Sequence, residues 1–134
     1  MGDDVTDEGR AILDTNVVIA DHITPIPGLL TISAATVAEL HFGVLVARTD
    51  SIRAERLRRL SALQRRFDPL PLDDAVAASY GLLAAAVVKV GRQPRARTMD
   101  LIIAATAHAH NARLYTRNVD DFLGLEDLVE VVPI

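Results

Sequence analysis

The sequence predicts an α/β protein, a three-layer α/β/α sandwich around a central, mostly parallel sheet. Three observations carry that prediction. Short apolar runs alternate with longer stretches of helical period, the pattern of parallel strands joined by crossover helices. Half of the 134 residues are hydrophobic, nearly all of them Ala, Val, Leu and Ile, with aromatics at 4%, and such side chains suit helices packed on a buried sheet. The first apolar run also stops at an acid, Asp14, where an open α/β sheet presents its ligand crevice.

Ala11 to Leu13 read as a buried strand, and Thr15 to Ala20 as the start of a helix, which puts Asp14 at the strand-to-helix turn. Thr24 to Gly28 contains two prolines and a glycine and reads as a loop. Leu29 to Ile32 form a second strand. Ser33 is a good N-cap for a helix to about Arg48 that carries Val37, Leu40, Val44 and Leu45, with Glu39 and His41 on it. Asp50 or Ser51 can cap a third helix to about Phe67, with Ile52, Leu57, Leu60 and Leu63 on one side and arginines on the other. Pro69 and Pro71 end it, and Leu70 to Leu72 offer a short strand.

The next helix, Asp74 to Val90, opens with carboxylates that complement its dipole and stops at Gly91. Its centre is apolar nearly all round, which predicts deep burial or a subunit contact. Gly91 to Arg97 is a basic loop. Thr98 caps a helix through His110, with Asp100 in its first turn and Leu101, Ile102, Ala105 and Thr106 behind it. Asn111 ends that helix, Arg113 to Thr116 form a strand, Asn118 to Leu123 begin a helical turn, and Val129 to Val132 are the last strand. The chain divides into an acidic tail, residues 1–9, and one domain, residues 10–134.

The absence of Cys leaves no disulfide and no thiolate metal site, which fits a reducing compartment. No signal-peptide core opens the chain. The apolar run Leu82 to Val88 is far shorter than a membrane span, which needs roughly 20 residues. The expectation is a cytoplasmic protein with no membrane partner. Net charge is −4, and four acids in the tail, Asp3, Asp4, Asp7 and Glu8, account for all of it. Between Arg48 and Arg66, seven arginines face only Asp50 and Glu55. Thirteen of the fourteen basic residues are Arg, the side chain that grips phosphate bidentately, although a solvated helix face explains the run equally well.

Right-handed crossovers bring Asp14, Asp100 and the pair Asp120 and Asp121 to one edge of the sheet, and Glu39 lies on a helix over that edge. Gathered carboxylates repel and push one another's pKa up, a cost that a hard divalent ion removes. An all-oxygen donor set without Cys or His favours Mg²⁺ or Mn²⁺ over Zn²⁺, and such ions most often serve phosphate chemistry. The alternatives are plain ones: Asp14 as a helix cap and Asp100 as a dipole partner. Glu39, set between apolar neighbours, is harder to explain that way. His108 and His110 are two apart on one helix and make poor joint ligands.

Asp14-Thr15-Asn16-Val17, Ala38-Glu39-Leu40 with Gly43 following, Asp100 to Ala107 and Thr116 to Phe122 together resemble the motifs of PIN-domain ribonucleases, in the order found in VapC-type toxins of bacterial toxin–antitoxin pairs. The likeness runs from about residue 10 to 132. It implies a PIN-like fold and Mg²⁺- or Mn²⁺-dependent endonucleolytic cleavage of structured RNA, with transfer RNA the class it points to. Asp14 and Asp100 match positions that hold metal, and Glu39 one that holds it directly or through water. For the fourth carboxylate the pattern favours Asp121, with Asn118 a neutral neighbour and Asp120 exposed. Thr15, Asn16, Thr116 and Asn118 are expected to orient these carboxylates. Arg92, Arg95, Arg97 and Arg117, beside the acids, are the expected phosphate contacts. The resemblance also implies a homodimer neutralised by a cognate VapB-type antitoxin. Two rivals are a non-catalytic PIN-like RNA-binding module and a haloacid-dehalogenase-like phosphatase, which needs a second Asp where this chain has Asn16.

Overall fold

A computed structural model describes residues 9–20 and 25–134; most of the acidic tail, His22 and Thr24 lie outside them. Four strands, β1 (Arg10–Leu13), β2 (Leu29–Thr31), β3 (Arg113–Thr116) and β4 (Val131–Pro133), form one parallel sheet in the order β2-β1-β3-β4. Ile12 is paired with Thr31 on one side and Leu114 on the other. A parallel sheet needs both faces covered, and alternate side chains show how this one achieves it. Ile12 and Leu114 are fully buried in a cluster with Val76, Leu83, Val87, Leu101 and Ile103. Ala11, Leu13 and Tyr115 face the other way and pack with Val17, Ile32 and Phe67. The result is the expected α/β/α sandwich.

The helices are α1 (Thr15–Val18), α2 (Ala34–Leu45), α3 (Asp50–Arg66), α4 (Asp74–Lys89) and α5 (Thr98–Ala109). Several ends differ from the sequence reading for local reasons. α1 is a single turn that ends at Val18, short of Ala20. α2 has its Ser33 cap, whose Oγ accepts from Ala35 N–H at 3.0 Å, but stops at Leu45 rather than Arg48. Arginines of α3 take carbonyls near its end: Arg56 donates to Gly43 O at 2.7 Å and Arg53 to Ala47 O at 2.9 Å. Carbonyls at a helix end have no partner within the helix, so such donors satisfy them. Thr49, not Asp50 or Ser51, caps α3 by accepting from Ile52 N–H at 3.1 Å. On its apolar side Leu60 is buried and Leu63 partly so, whereas Ile52 and Leu57 are exposed.

The strand expected over Leu70 to Leu72 shrinks to one bridge between Leu70 and Ser33. Leu70 N–H reaches Ile32 O, and Ala34 N–H reaches Leu70 O, both at 2.9 Å. Pro69 and Pro71 flank that residue and have no amide proton to extend the ladder. α4 is not buried all round: Val76, Ser79, Leu83 and Val87 are inside, while Leu82 and Val88 are exposed. Gly91 ends it at φ 81°, a left-handed turn that costs glycine little. A 3-10 turn, Pro94–Arg97, fills the basic loop, so Thr98 is the first residue of α5 and not its cap. A second 3-10 turn, Val119–Phe122, follows β3, and β4 begins at Val131, past Val129, whose N–H bonds to Leu125 O at 3.0 Å. Among the described residues no helix is long and apolar enough to cross a membrane.

Candidate metal centre

Leu13 pairs with Tyr115, so β1 and β3 end side by side. Asp14 is the first residue past β1, with its N–H bonded to Tyr115 O at 2.9 Å and only 4% of its surface exposed. One oxygen caps α1 by accepting from Thr15 N–H at 2.8 Å; the other accepts from the Thr116 hydroxyl at 2.8 Å. Helix cap and site carboxylate are thus the same residue. Thr116 Oγ1 also receives Asn118 N–H at 3.0 Å and Asn16 Nδ2 at 3.3 Å. Asn16 Oδ1 accepts from Arg117 N–H at 3.1 Å, which ties the exit of β3 to the first turn of α1.

Glu39 comes from α2 and meets the same place through Thr15, whose hydroxyl donates to Glu39 Oε1 at 2.6 Å. The fully buried Thr36 hydroxyl lies 3.0 Å from Thr15 Oγ1. With the Thr15 proton committed to the carboxylate, Thr36 is left to donate to Thr15. Sequence reading misses Thr36. Its signal is present, since it lies three residues before Glu39 on the same helix face. Asp121, in the second 3-10 turn, accepts from Asn118 Nδ2 at 3.1 Å and pairs with Arg97 at 3.5 Å. Asp120 is exposed. Asp100 is partly buried in the first turn of α5, and among the described residues no donor reaches its carboxylate.

The electrostatics link these four acids. Asp100 is pushed up to about 6, first by burial and then by Asp121, Asp14 and Glu39, with Arg97 pulling the other way. Asp14 is also raised, chiefly by burial, with Thr116 and Thr15 hydrogen bonds opposing and Glu39 and Asp121 adding to the rise. Asp100 thus feels the other three acids, and Asp14 feels Glu39 and Asp121. Among the described residues no three acidic or histidine side chains are drawn close enough to ligate one ion together. The donor set is all oxygen, with one carboxylate that no donor among the described residues reaches and another nearly sealed from water, and such a set fits a hard divalent cation. Of the described histidines, His108 Nδ1 bonds with Ser79 and His110 Nδ1 with Arg10, each at 2.8 Å, and His41 is exposed.

The four arginines behave unequally. Arg92 donates to Asp120 O at 3.0 Å and Arg97 to Asp121 O at 3.2 Å, so both fasten the turn Val119–Phe122. Arg95 and Arg117 are exposed. On the flank of Glu39 a groove of about 390 Å³ opens between α2 and α3, lined by Ile19, Leu40, Phe42 and Val46 with Arg56 and Arg59 at its edge.

The family model for the PIN domain matches residues 11–126. Ribonuclease VapC5 of Mycobacterium tuberculosis is 35% identical over 132 residues, covering 94% of this chain and 95% of the relative. Ribonuclease VapC4 of the same organism is 34% identical, covering 93% and 97%. A crystal structure described as a member of the VapBC family of toxin–antitoxin systems, VapBC-5 from Mycobacterium tuberculosis, superposes with a TM-score of 0.82 at 35% identity, covering 93% of this chain and 98% of that one. With the family match spanning most of the sequence and these relatives aligned almost end to end, the chain belongs to the PIN-domain family, among the VapC-type ribonucleases.

Proposed function

We propose that this protein is a toxin that cleaves structured RNA of the transfer RNA class endonucleolytically, using Mg²⁺ or Mn²⁺ held by Asp14, Glu39, Asp100 and Asp121. The observation that carries the reading is the coupling of these four carboxylates at one edge of the sheet, where Asp100 is raised to about 6 by burial and by its three acidic neighbours. A bound divalent ion supplies polarisation of the phosphate and of the attacking water. Thr116 and Thr15 fix the Asp14 carboxylate from two sides. Thr36, through Thr15, holds Glu39. Asn118 orients Asp121. Arg95 and Arg117, exposed beside the acids, contact backbone phosphates, and spare donors of Arg92 and Arg97 extend that contact.

The protein works in the cytoplasm as a homodimer built on the exposed apolar face of α4, and a VapB-type antitoxin neutralises it. The groove between α2 and α3 suits the apolar segment of such a partner: Phe42 is 66% and Val46 50% exposed there, and Glu39 and Thr15 lie in its wall. Exposed apolar side chains gathered in one place mark an interaction surface. A segment seated in that groove would close one side of the acidic site. The phosphatase alternative is disfavoured, because the side chain of Asn16 is committed to Thr116 and to Arg117 N–H. A non-catalytic binding module would have no need to keep four mutually repelling carboxylates.

The test is cleavage of purified transfer RNA with Mn²⁺ by wild type, Asp14→Asn and Asp100→Asn, with EDTA as control. Loss of cleavage in both variants and in EDTA is expected. Undiminished cleavage in either variant or in chelator would sink the reading.

A further inference from the structure

Arg97 stands inside the acidic cluster rather than beside it. Its Nη1 pairs with Asp121 Oδ1 at 3.5 Å and donates to the carbonyl of the same residue at 3.2 Å. The two side chains are 27% and 31% exposed, so solvent screens this pair less than an ordinary surface pair. Arg92 holds the preceding carbonyl, Asp120 O, at 3.0 Å. Two guanidinium groups from the segment before α5 thus staple the turn that carries the last carboxylate. Arg97 is also close enough to Asp100 to act on it.

Four ionised carboxylates bring four negative charges to the site, and the guanidinium of Arg97 cancels one. A divalent ion entering there meets a fixed positive charge that already serves one of its ligands. We propose that Arg97 is a built-in counter-ion of the site: it positions Asp121 and offsets the acidic cluster when no metal is bound, and by its charge it weakens the hold on the metal. Arg97 is thus a positioning residue that sets metal affinity. The inference rests on the metal reading above. It departs from a purely structural role in one sign, since a mere staple would strengthen metal binding by fixing a ligand, whereas a counter-ion opposes it.

The test uses Mn²⁺ alone, followed by the loss of its free-ion electron paramagnetic resonance signal, on the full chain as wild type, Arg97→Gln and Arg97→Lys. Metal-free melting at neutral pH is measured in parallel. Arg97→Gln is expected to bind Mn²⁺ about tenfold more tightly, as removal of one nearby positive charge implies. It should also melt lower than wild type without metal, with the gap closing as Mn²⁺ saturates the site. Arg97→Lys, which keeps the charge, should bind close to wild type. Equal or weaker binding by Arg97→Gln would overturn the proposal, as would Arg97→Lys binding as tightly as Arg97→Gln. If wild type itself bound no Mn²⁺, the metal reading would fall and this inference with it. If wild type bound Mn²⁺ and Arg97→Gln bound it no better, this inference alone would fail.

Discussion

The hydroxyl of Thr116 donates to Asp14 Oδ2 at 2.8 Å across the ends of β3 and β1, between two buried residues 102 positions apart in the sequence. The Thr116 oxygen also accepts from Asn118 N–H and Asn16 Nδ2, so one hydroxyl joins the exit of β3 to the β1–α1 turn. Thr116→Val keeps the shape and deletes the donor, leaving a buried carboxylate and two N–H donors short of a partner. A stability loss of about 1–3 kcal/mol in urea unfolding is expected, together with a drop of about 10–100-fold in Mn²⁺ affinity and cleavage. Thr116→Ser should recover most of both. A valine variant that cleaves and binds metal like wild type would show that this hydroxyl does not orient Asp14.

Asp100 and Asp14 are both raised above the ordinary carboxylate value of 3.8, Asp100 to about 6. Protonation is therefore easier in the folded state than in the unfolded one. The sign follows: the contribution of Asp100 to stability is complete below 3.8 and is lost as pH rises through about 6, and Asp14 acts in the same direction. Metal-free protein should melt at progressively lower temperature across that window, and Asp100→Asn should flatten the decline. Metal binding and cleavage need the ionised form, so both should rise over the same window. Calorimetric melts with and without Mn²⁺ measure this, and a flat metal-free profile would contradict it.

Arg95 and Arg117 are exposed, whereas Arg92 and Arg97 are fastened to backbone carbonyls. Arg95→Ala and Arg117→Ala should each weaken binding of catalytically inactive protein to transfer RNA and reduce the slope of log affinity against log salt by about 1. Filter binding at several salt concentrations reads the slope. Slopes equal to that of the parent protein would remove these two from the RNA surface.

Phe42 and Val46 lie on the exposed wall of the groove between α2 and α3. Phe42→Asp and Val46→Asp place a charge where an apolar partner segment would sit, and as exposed substitutions they should alter stability by no more than about 0.5 kcal/mol. Both should bind the cognate antitoxin at least about tenfold more weakly while cleaving RNA at the rate of the parent protein. Pull-down affinity and free-toxin cleavage separate the two effects. Unchanged antitoxin affinity in both variants would place the partner on another surface.

Some of these features are readable in the sequence and others are out of its reach, for physical reasons. Asp14 and Asp100 stand out because each sits where an apolar period begins or ends, and Thr15, Asn16, Thr116 and Asn118 because they flank the acids. Thr49 escapes notice as the cap of α3 because Asp50 and Ser51 compete for that role within two residues, and only the hydrogen bond to Ile52 decides. Periodicity assigns Ile52 and Leu57 to an apolar side without showing whether anything covers it, and both are exposed among the described residues. Arg53 and Arg56 belong to the arginine run between Arg48 and Arg66, yet each commits a donor to a carbonyl near the end of α2. Composition registers charge, and it does not register which backbone group lies within reach.

Arg92 and Arg97 staple a part of the site that is synthesised last. The carboxylates that they help assemble run from Asp14 to Asp121, and the hydrogen bond joining Asp14 to Thr116 closes over nearly the whole of that length. Such distant pairings form late, because the loop between them must be ordered first. A chain still emerging from a ribosome has Asp14 outside long before Thr116 and Asp121 exist, and until they appear it has no site to fill. In a toxin of the proposed kind, the full set of carboxylates would exist only once nearly the whole chain has been made.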